Sequence, residues 1–398
     1  MKSPIEREKS TERESGIELL KLAAAFMIIL VHITQTLSSE PEALVSLLDN
    51  TDCFISLNTA TSNIQYIILF LFRHGHLANV IFFVCSAWFL CVSEKKASGK
   101  KLLRALLDVW IISVLFLAVF LAAGINISGE DILASLLPTT FSSNWYITCY
   151  LIIYAIHPYL NLIIHKMTQR ELLTANTICF FLYFCVSYIK NGLFFGNNLV
   201  LFIIIYFLTA YERLYGNGER KSWQFWTALL LICSIGNWGI PLLTNFAGLK
   251  IEFLRNHTLH WATTYSPFIP VISISLLQLF RRLRFFSPTV NRISSLTLYI
   301  YVIHENLLFR DYVRPWFFYL IYINFGYRYI VLWVLGLTIA MYAGSALIGF
   351  IYQQSLGKAV ERLSVFGADR ISRHYHSMMD RILPEDNQGG TDRKGNHS

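Results

Sequence analysis

Apolar and polar residues alternate along this 398-residue chain in long blocks rather than at single positions. A helix rises about 1.5 Å per residue, so roughly 20 mostly apolar residues cross a bilayer. Ten blocks approach or reach that length, at about 16–37, 76–93, 105–125, 144–164, 174–189, 198–214, 225–246, 264–280, 293–309 and 329–352. The expected fold class is therefore all-α: a polytopic membrane protein with about ten transmembrane helices. Residues 64–72 (IQYIILFLF) are too short to span and are expected to form an interfacial or re-entrant approach to the second helix. Gly239 and Pro241 are expected to kink or break the outer end of the seventh. The first block lacks a convincing small-x-small cleavage site and is interrupted by His32, so it reads as a retained helix rather than a signal peptide.

Polar segments flank this membrane region, 16–352. Residues 1–15 read as a cytoplasmic lead-in. Residues 353–398 read as a charged cytoplasmic tail, its first part an amphipathic surface helix and 383–398 disordered. With ten spans both termini lie on one side, and that side carries 25 of the 33 Lys and Arg residues against six on the other. Such asymmetry is the positive-inside signature and makes the terminal side cytoplasmic. The net charge of +8 is thereby accounted for by orientation, and no nucleic-acid partner is implied. Composition agrees: 15 % of residues are charged and 55 % hydrophobic, where a soluble domain has about 25 % charged residues. Six of the seven cysteines fall in apolar runs and only Cys53 in a polar loop, so no disulfide framework is expected. No His/Cys spacing suggests a metal site.

Ionisable residues inside apolar blocks are the candidate chemistry. Lys21 and His32 lie in one helix, eleven residues or roughly 16 Å apart, the lysine toward the cytoplasm and the imidazole toward the outer face. Helix nine also runs outward and brings His304 and Glu305 to similar depth, while Arg73, His74 and His76 stand at the outer start of helix two. A group of this kind within a span is expensive unless it faces protein or water, which points to function. The bland alternative is that Lys21 snorkels to its interface and His32 bonds a neighbouring helix. For His74, His76, His257 and His260 the bland interfacial reading is the better one.

Five stretches, in order, resemble the acyltransferase-3 family of integral membrane acyltransferases. GIELLKLAAAFMIILVH resembles its first helix, a basic residue followed after ten others by histidine, with Lys21 in the usual arginine place and His32 as the histidine. FFVCSAWFL resembles FFxxSGxxL, with Ala87 where glycine is usual. Lys101 and Arg104 match a short Arg-x-x-Arg segment, Asn144-Trp145-Tyr146 resembles a Trp-Phe start, and YVIHEN resembles a Tyr-x-x-His stretch. Together they cover about residues 14–352.

The resemblance implies transfer of an acyl group, most often acetyl, from cytoplasmic acyl-CoA to a hydroxyl of a cell-surface or exported glycan or lipid-linked sugar, in a multi-pass protein of the bacterial plasma membrane. No bound cofactor is implied; acetyl-CoA is the donor substrate, and the bilayer is the other partner. His32 is then expected as general base or transient acyl carrier, with His304 or Glu305 orienting it or stabilising its charged form. Lys21, Lys101 and Arg104 are expected to meet the anionic donor, with Arg73 and Trp145 as further substrate-binding candidates. Two other classes stand beside this one. A transporter or flippase of a polar lipid or glycan also buries charge, although no internal repeat is evident. A non-catalytic assembly partner uses lone polar residues as interhelical glue.

Overall fold

In a computed structural model of the protein, residues 14–36, 64–73, 77–141, 143–189, 196–216, 218, 220–248, 250–255, 260–325 and 329–382 are described. Every regular element among them is helical. The principal helices are α1 (Ser15–Thr36), α2 (Leu77–Leu90), α3 (Gly99–Ala122), α4 (Trp145–Lys166), α5 (Gln169–Phe180), α6 (Asn198–Tyr215), α7 (Trp223–Ala247), α8 (Phe268–Arg281), α9 (Thr297–His304), α10 (Ile330–Ser355) and α11 (Gly357–Ile382). Among the described residues, eight helical stretches are long and apolar enough to cross a membrane: Ser15–Gln35, Ile67–Leu90, Gly99–Ala122, Trp145–Lys166, Gln169–Ile189, Asn198–Tyr215, Trp223–Ala247 and Ile330–Ser355. The chain is a multi-pass, all-helical membrane protein.

Two of the ten expected spans take another form. The one at 264–280 is the 14-residue α8. The one at 293–309 is divided by local chemistry. Ser287 caps a short helix, Pro288–Ser294, and a turn separates it from α9. After His304 the chain turns again, where Asn306 Oδ1 accepts the backbone N–H groups of Leu308 and Phe309 and starts a new helical segment. Residues 64–72 belong to the helix Ile64–Arg73, most of which falls with α2 in one span-length stretch. α7 runs on through Pro241 to Ala247 rather than breaking there; the Thr244 hydroxyl donates to the carbonyls of Ile240 and Pro241 in that turn.

α1 and α2 form the centre: their spans are the most buried of the long apolar helices. Ile17, Leu20, Ala24, Ile28, Ile29 and Ile33 of α1 are buried, as are nine positions of α2. Lipid is as apolar as leucine, so close backbone approach and hydrogen bonds must hold such helices together. Gly16 lets α1 meet the end of α8 so closely that a Cβ there would lie 2.2 Å from the Phe280 carbonyl oxygen. Gly349 of α10 likewise admits Tyr299 of α9, whose Cβ lies 2.5 Å from the position an alanine methyl would take. Asn161 of α4 donates to the carbonyls of Leu90 and Ser93 and accepts from the Tyr206 hydroxyl of α6, at 2.7–3.0 Å. Each such bond contributes on the order of 0.5–2 kcal/mol within a membrane.

α11, the expected surface helix, packs on α3 through buried Val360 and Ser364, while Leu363, Phe366, Ile371 and Tyr375 stay exposed. Residues 383–398 and 1–13 lie outside the described residues.

Candidate active site

Five helices, α1, α2, α3 (through Ala105), α4 and α9, line a cavity of about 280 Å³. α1 contributes Lys21, Ala25 and Ile28, at the i, i+4, i+7 spacing of one helix face. α9 contributes Thr297, Ile300, Tyr301 and His304 with the same period, α2 adds Phe82 and Ser86, and α4 adds Tyr146, Tyr150 and their neighbours. Lys21 and Ile28 are seven residues apart, so the α1 wall is about 10 Å long.

Lys21 stands at one end. Its Nζ lies 3.1 Å from Glu18 Oε1, one turn earlier, and the other Glu18 oxygen accepts from the Ser294 hydroxyl. Glu18 at i−3 was readable as a helix pair, and its burial at 8 % exposure keeps the cation fixed beside the cavity.

The other end holds His304, 2 % exposed, with His32 behind it. His304 Nδ1–H donates to the Ile300 carbonyl, one turn earlier in α9, at 2.7 Å. That bond sets the tautomer and leaves the lone pair on His304 Nε2. His32 Nδ1 lies 3.1 Å from that nitrogen and 2.9 Å from Glu305 Oε1, so its N–H donates to both and its own lone pair resides on Nε2. The two rings are stacked with centroids 5.3 Å apart. A carboxylate holding one ring nitrogen of a histidine while the other carries the lone pair is the arrangement of a general base.

Glu305 is in turn held by Arg314. The guanidinium Nη2 donates to Glu305 Oε1 at 2.6 Å and to the His304 carbonyl at 2.8 Å, while Nη1 donates to the His32 carbonyl at 3.4 Å. Its side chain is 2 % exposed. By sequence Arg314 is one more loop charge; no spacing signal distinguishes it, because its partners come from both α1 and the end of α9. Arg310 Nη1 lies 4.0 Å from Glu305 Oε2 on the outer edge and is bonded mainly to Asp311.

The donor atoms of His32, His304 and Glu305 lie within 4.8 Å of one another, a geometry that also suits a metal ion. Arg314 places a positive charge 2.6 Å from the same carboxylate oxygen, which opposes a cation there.

The remaining expected residues divide. Trp145 does not line the cavity; it packs on Tyr146 and Phe202, and Tyr146 takes the lining place. The Tyr146 hydroxyl is buried in that wall with no hydrogen-bond partner among the described residues. Lys101 is exposed at the start of α3. Arg104 is turned toward α11, its Nε 3.0 Å from Asp108 and its Nη1 2.6 Å from Glu361, and Lys100 reaches the same Glu361 at 2.6 Å. Buried Asp108 also accepts from the hydroxyls of Tyr299 and Tyr352, so Arg104 belongs to a network tying α3 to α9, α10 and α11. The side chain of Arg73, and His74, His76 and His257, lie outside the described residues. His260 donates to the Tyr188 carbonyl at 3.1 Å, a structural contact in keeping with the bland reading.

No curated protein and no solved structure matches the chain. A family model described as an acyltransferase domain matches residues 14–350, a range that takes in the cavity, the His32–Glu305 pair and Arg314. The chain belongs to the acyltransferase-3 family of membrane acyltransferases.

Proposed function

We propose that the protein transfers an acyl group, in the first instance acetyl, from cytoplasmic acyl-CoA to a hydroxyl of a cell-surface or exported glycan. The observation that carries the reading is the cavity with a fixed cation at one end and a carboxylate-oriented histidine pair at the other. The excess of basic residues on the side of both termini supports a cytoplasmic Lys21 end and an outward His32 end, in what this reading takes to be a bacterial plasma membrane. The count of ten crossings is kept if α8, and the helix pair Pro288–Ser294 and α9, each traverse the bundle inside a protein-lined environment.

In this reading the acyl thioester enters from the Lys21 end and its carbonyl comes to rest near His304. The acceptor hydroxyl approaches from the outer side. His32 Nε2 takes the hydroxyl proton as the oxygen attacks the carbonyl carbon, forming the C–O bond. Collapse breaks the C–S bond, and the thiolate leaves as free thiol with the proton returned by the imidazolium. Glu305 holds Nδ1–H throughout and stabilises the transient imidazolium, and Arg314 keeps the carboxylate in place.

The test is transfer of labelled acetyl from acetyl-CoA into surface glycan by membranes containing wild type or His32→Ala at equal levels. Label entering glycan only with His32 supports the reading. Equal labelling by the variant removes His32 from the chemistry, and passage of unmodified glycan or lipid across the membrane without acylation would favour a transporter.

A further inference from the structure

α11 lies beyond residues 14–350, the range that the family model matches. It follows α10, a membrane-crossing stretch, after the single residue Leu356, so it starts at the membrane surface. Along it one stripe recurs every three or four residues, from Val360, Ser364 and Gly367 on to Ile371, Tyr375, Met378 and Ile382. Arg362, Asp369, Arg373 and His376 fall on the opposite side of the helix and are all exposed.

The first half of the stripe is occupied by α3. Val360 and Ser364 are buried, and a Cβ on Gly367 would lie 2.6 Å from Leu103 Cδ2. Gly99 is the first residue of α3, and a Cβ there would lie 3.9 Å from the Ala368 methyl. α3 therefore runs out as a partner at Ala368, while the stripe continues. Ile371, Tyr375, Met378 and Ile382 are each 43–62 % exposed. They cover eleven residues, about 16 Å of helix.

A stable interface between two proteins takes about 800 Å² from each partner, more than four half-exposed side chains offer. A bilayer sets no such minimum for a helix that α10 already tethers to it, because the association entropy is largely spent. Each methylene moved out of water there contributes about 0.8 kcal/mol. Tyr375 suits the headgroup level with an apolar ring and a polar tip, and the Arg370 stem beside the stripe lets its guanidinium reach lipid phosphate. We propose that α11 changes partner at Ala368: α3 before it, the phospholipid surface after it. Ile371, Tyr375, Met378 and Ile382 are then set into the boundary between headgroups and acyl chains.

The test uses the full-length protein, one copy per disc, in nanodiscs of phosphatidylcholine and phosphatidylglycerol. The emission that Tyr375→Trp adds to wild type is expected to be quenched by lipids brominated on their acyl chains and little by aqueous iodide. Amide exchange is followed in parallel for wild type and the double variant Ile371→Asn/Met378→Asn, whose positions are exposed, so replacement spares the packing on α3. Exchange over 371–382 is expected to speed up about tenfold in the double variant, while 357–368, held by α3, keeps its protection. Quenching of the added tryptophan by iodide and not by brominated lipid overturns the proposal, as does unchanged exchange in the double variant. Protection of 371–382 in discs holding two copies but not one overturns it in favour of self-association.

Discussion

The Glu305–Arg314 pair allows catalysis to be separated from stability. Arg314 is 2 % exposed and its Nη2 lies 2.6 Å from Glu305 Oε1, so removing either partner leaves the other charge buried without its counter-ion. Breaking such a pair costs about 3–5 kcal/mol, whereas replacing both partners with neutral groups of similar size is often close to neutral. Glu305→Gln and Arg314→Met are therefore each expected to be strongly destabilised, and the double variant to recover most of that loss. Activity has a different dependence. Glu305 is also the acceptor 2.9 Å from His32 Nδ1, and losing an orienting, imidazolium-stabilising carboxylate lowers turnover by roughly 10²–10⁴-fold. The double variant is thus expected to be folded and inactive. Thermal unfolding in detergent reads the first quantity, and acetyl transfer per folded molecule the second. If the double variant regains transfer along with stability, Glu305 has only a structural role and the general-base assignment to His32 fails.

Tyr146→Phe removes a buried hydroxyl without a partner among the described residues; stability is expected to be unchanged or slightly raised, and KM for the donor to rise about 2–10-fold through one lost hydrogen bond. An unfolding scan with donor kinetics checks both. Gly16→Ala places a methyl against the Phe280 carbonyl, and the resulting shift of α1 against α8 is expected to cost about 1–3 kcal/mol in thermal unfolding. Because the His32–Glu305 chemistry is acid–base, transfer is expected to survive exhaustive chelation; loss with EDTA and rescue by zinc would instead assign His32, His304 and Glu305 to a metal. Hydrogen bonds from Lys100 and then Arg104 hold the Glu361 carboxyl below its ordinary value of 4.5. A lowered carboxylate contributes its stabilisation above that ordinary value and loses it as pH falls through the lowered one. Protease cleavage within α11 is therefore expected to be slow at neutral pH and to rise in acid, and Glu361→Gln to remove that pH dependence; a pH response that persists in the variant would place the titration elsewhere.

Much of the architecture is a property of single segments and is legible in the sequence. Block length and composition decide which stretches can be membrane helices. The presence of Lys21 and His32 in the first apolar block, and of His304 and Glu305 in a later one, likewise needs no folding to be seen. Where the broken region 288–309 stops and restarts is less legible, because the caps at Ser287 and Asn306 interrupt an apolar run that would otherwise be read as one span. Pairings are a different matter. His32 and His304 are 272 positions apart, Arg104 and Glu361 are 257 apart, and no local period encodes either contact. Arg314 looks like a loop cation until the fold buries it against Glu305, and the pairing of Arg104 with Asp108 and Glu361 also appears only in the fold. The sequence by itself determined which stretches form helices and the kinds of chemical group on them, since these follow from local periodicity and transfer energy. Only the tertiary structure decided which charges are neutralised and which face a cavity, because Coulomb energy and desolvation depend on distances that the chain closes across hundreds of residues.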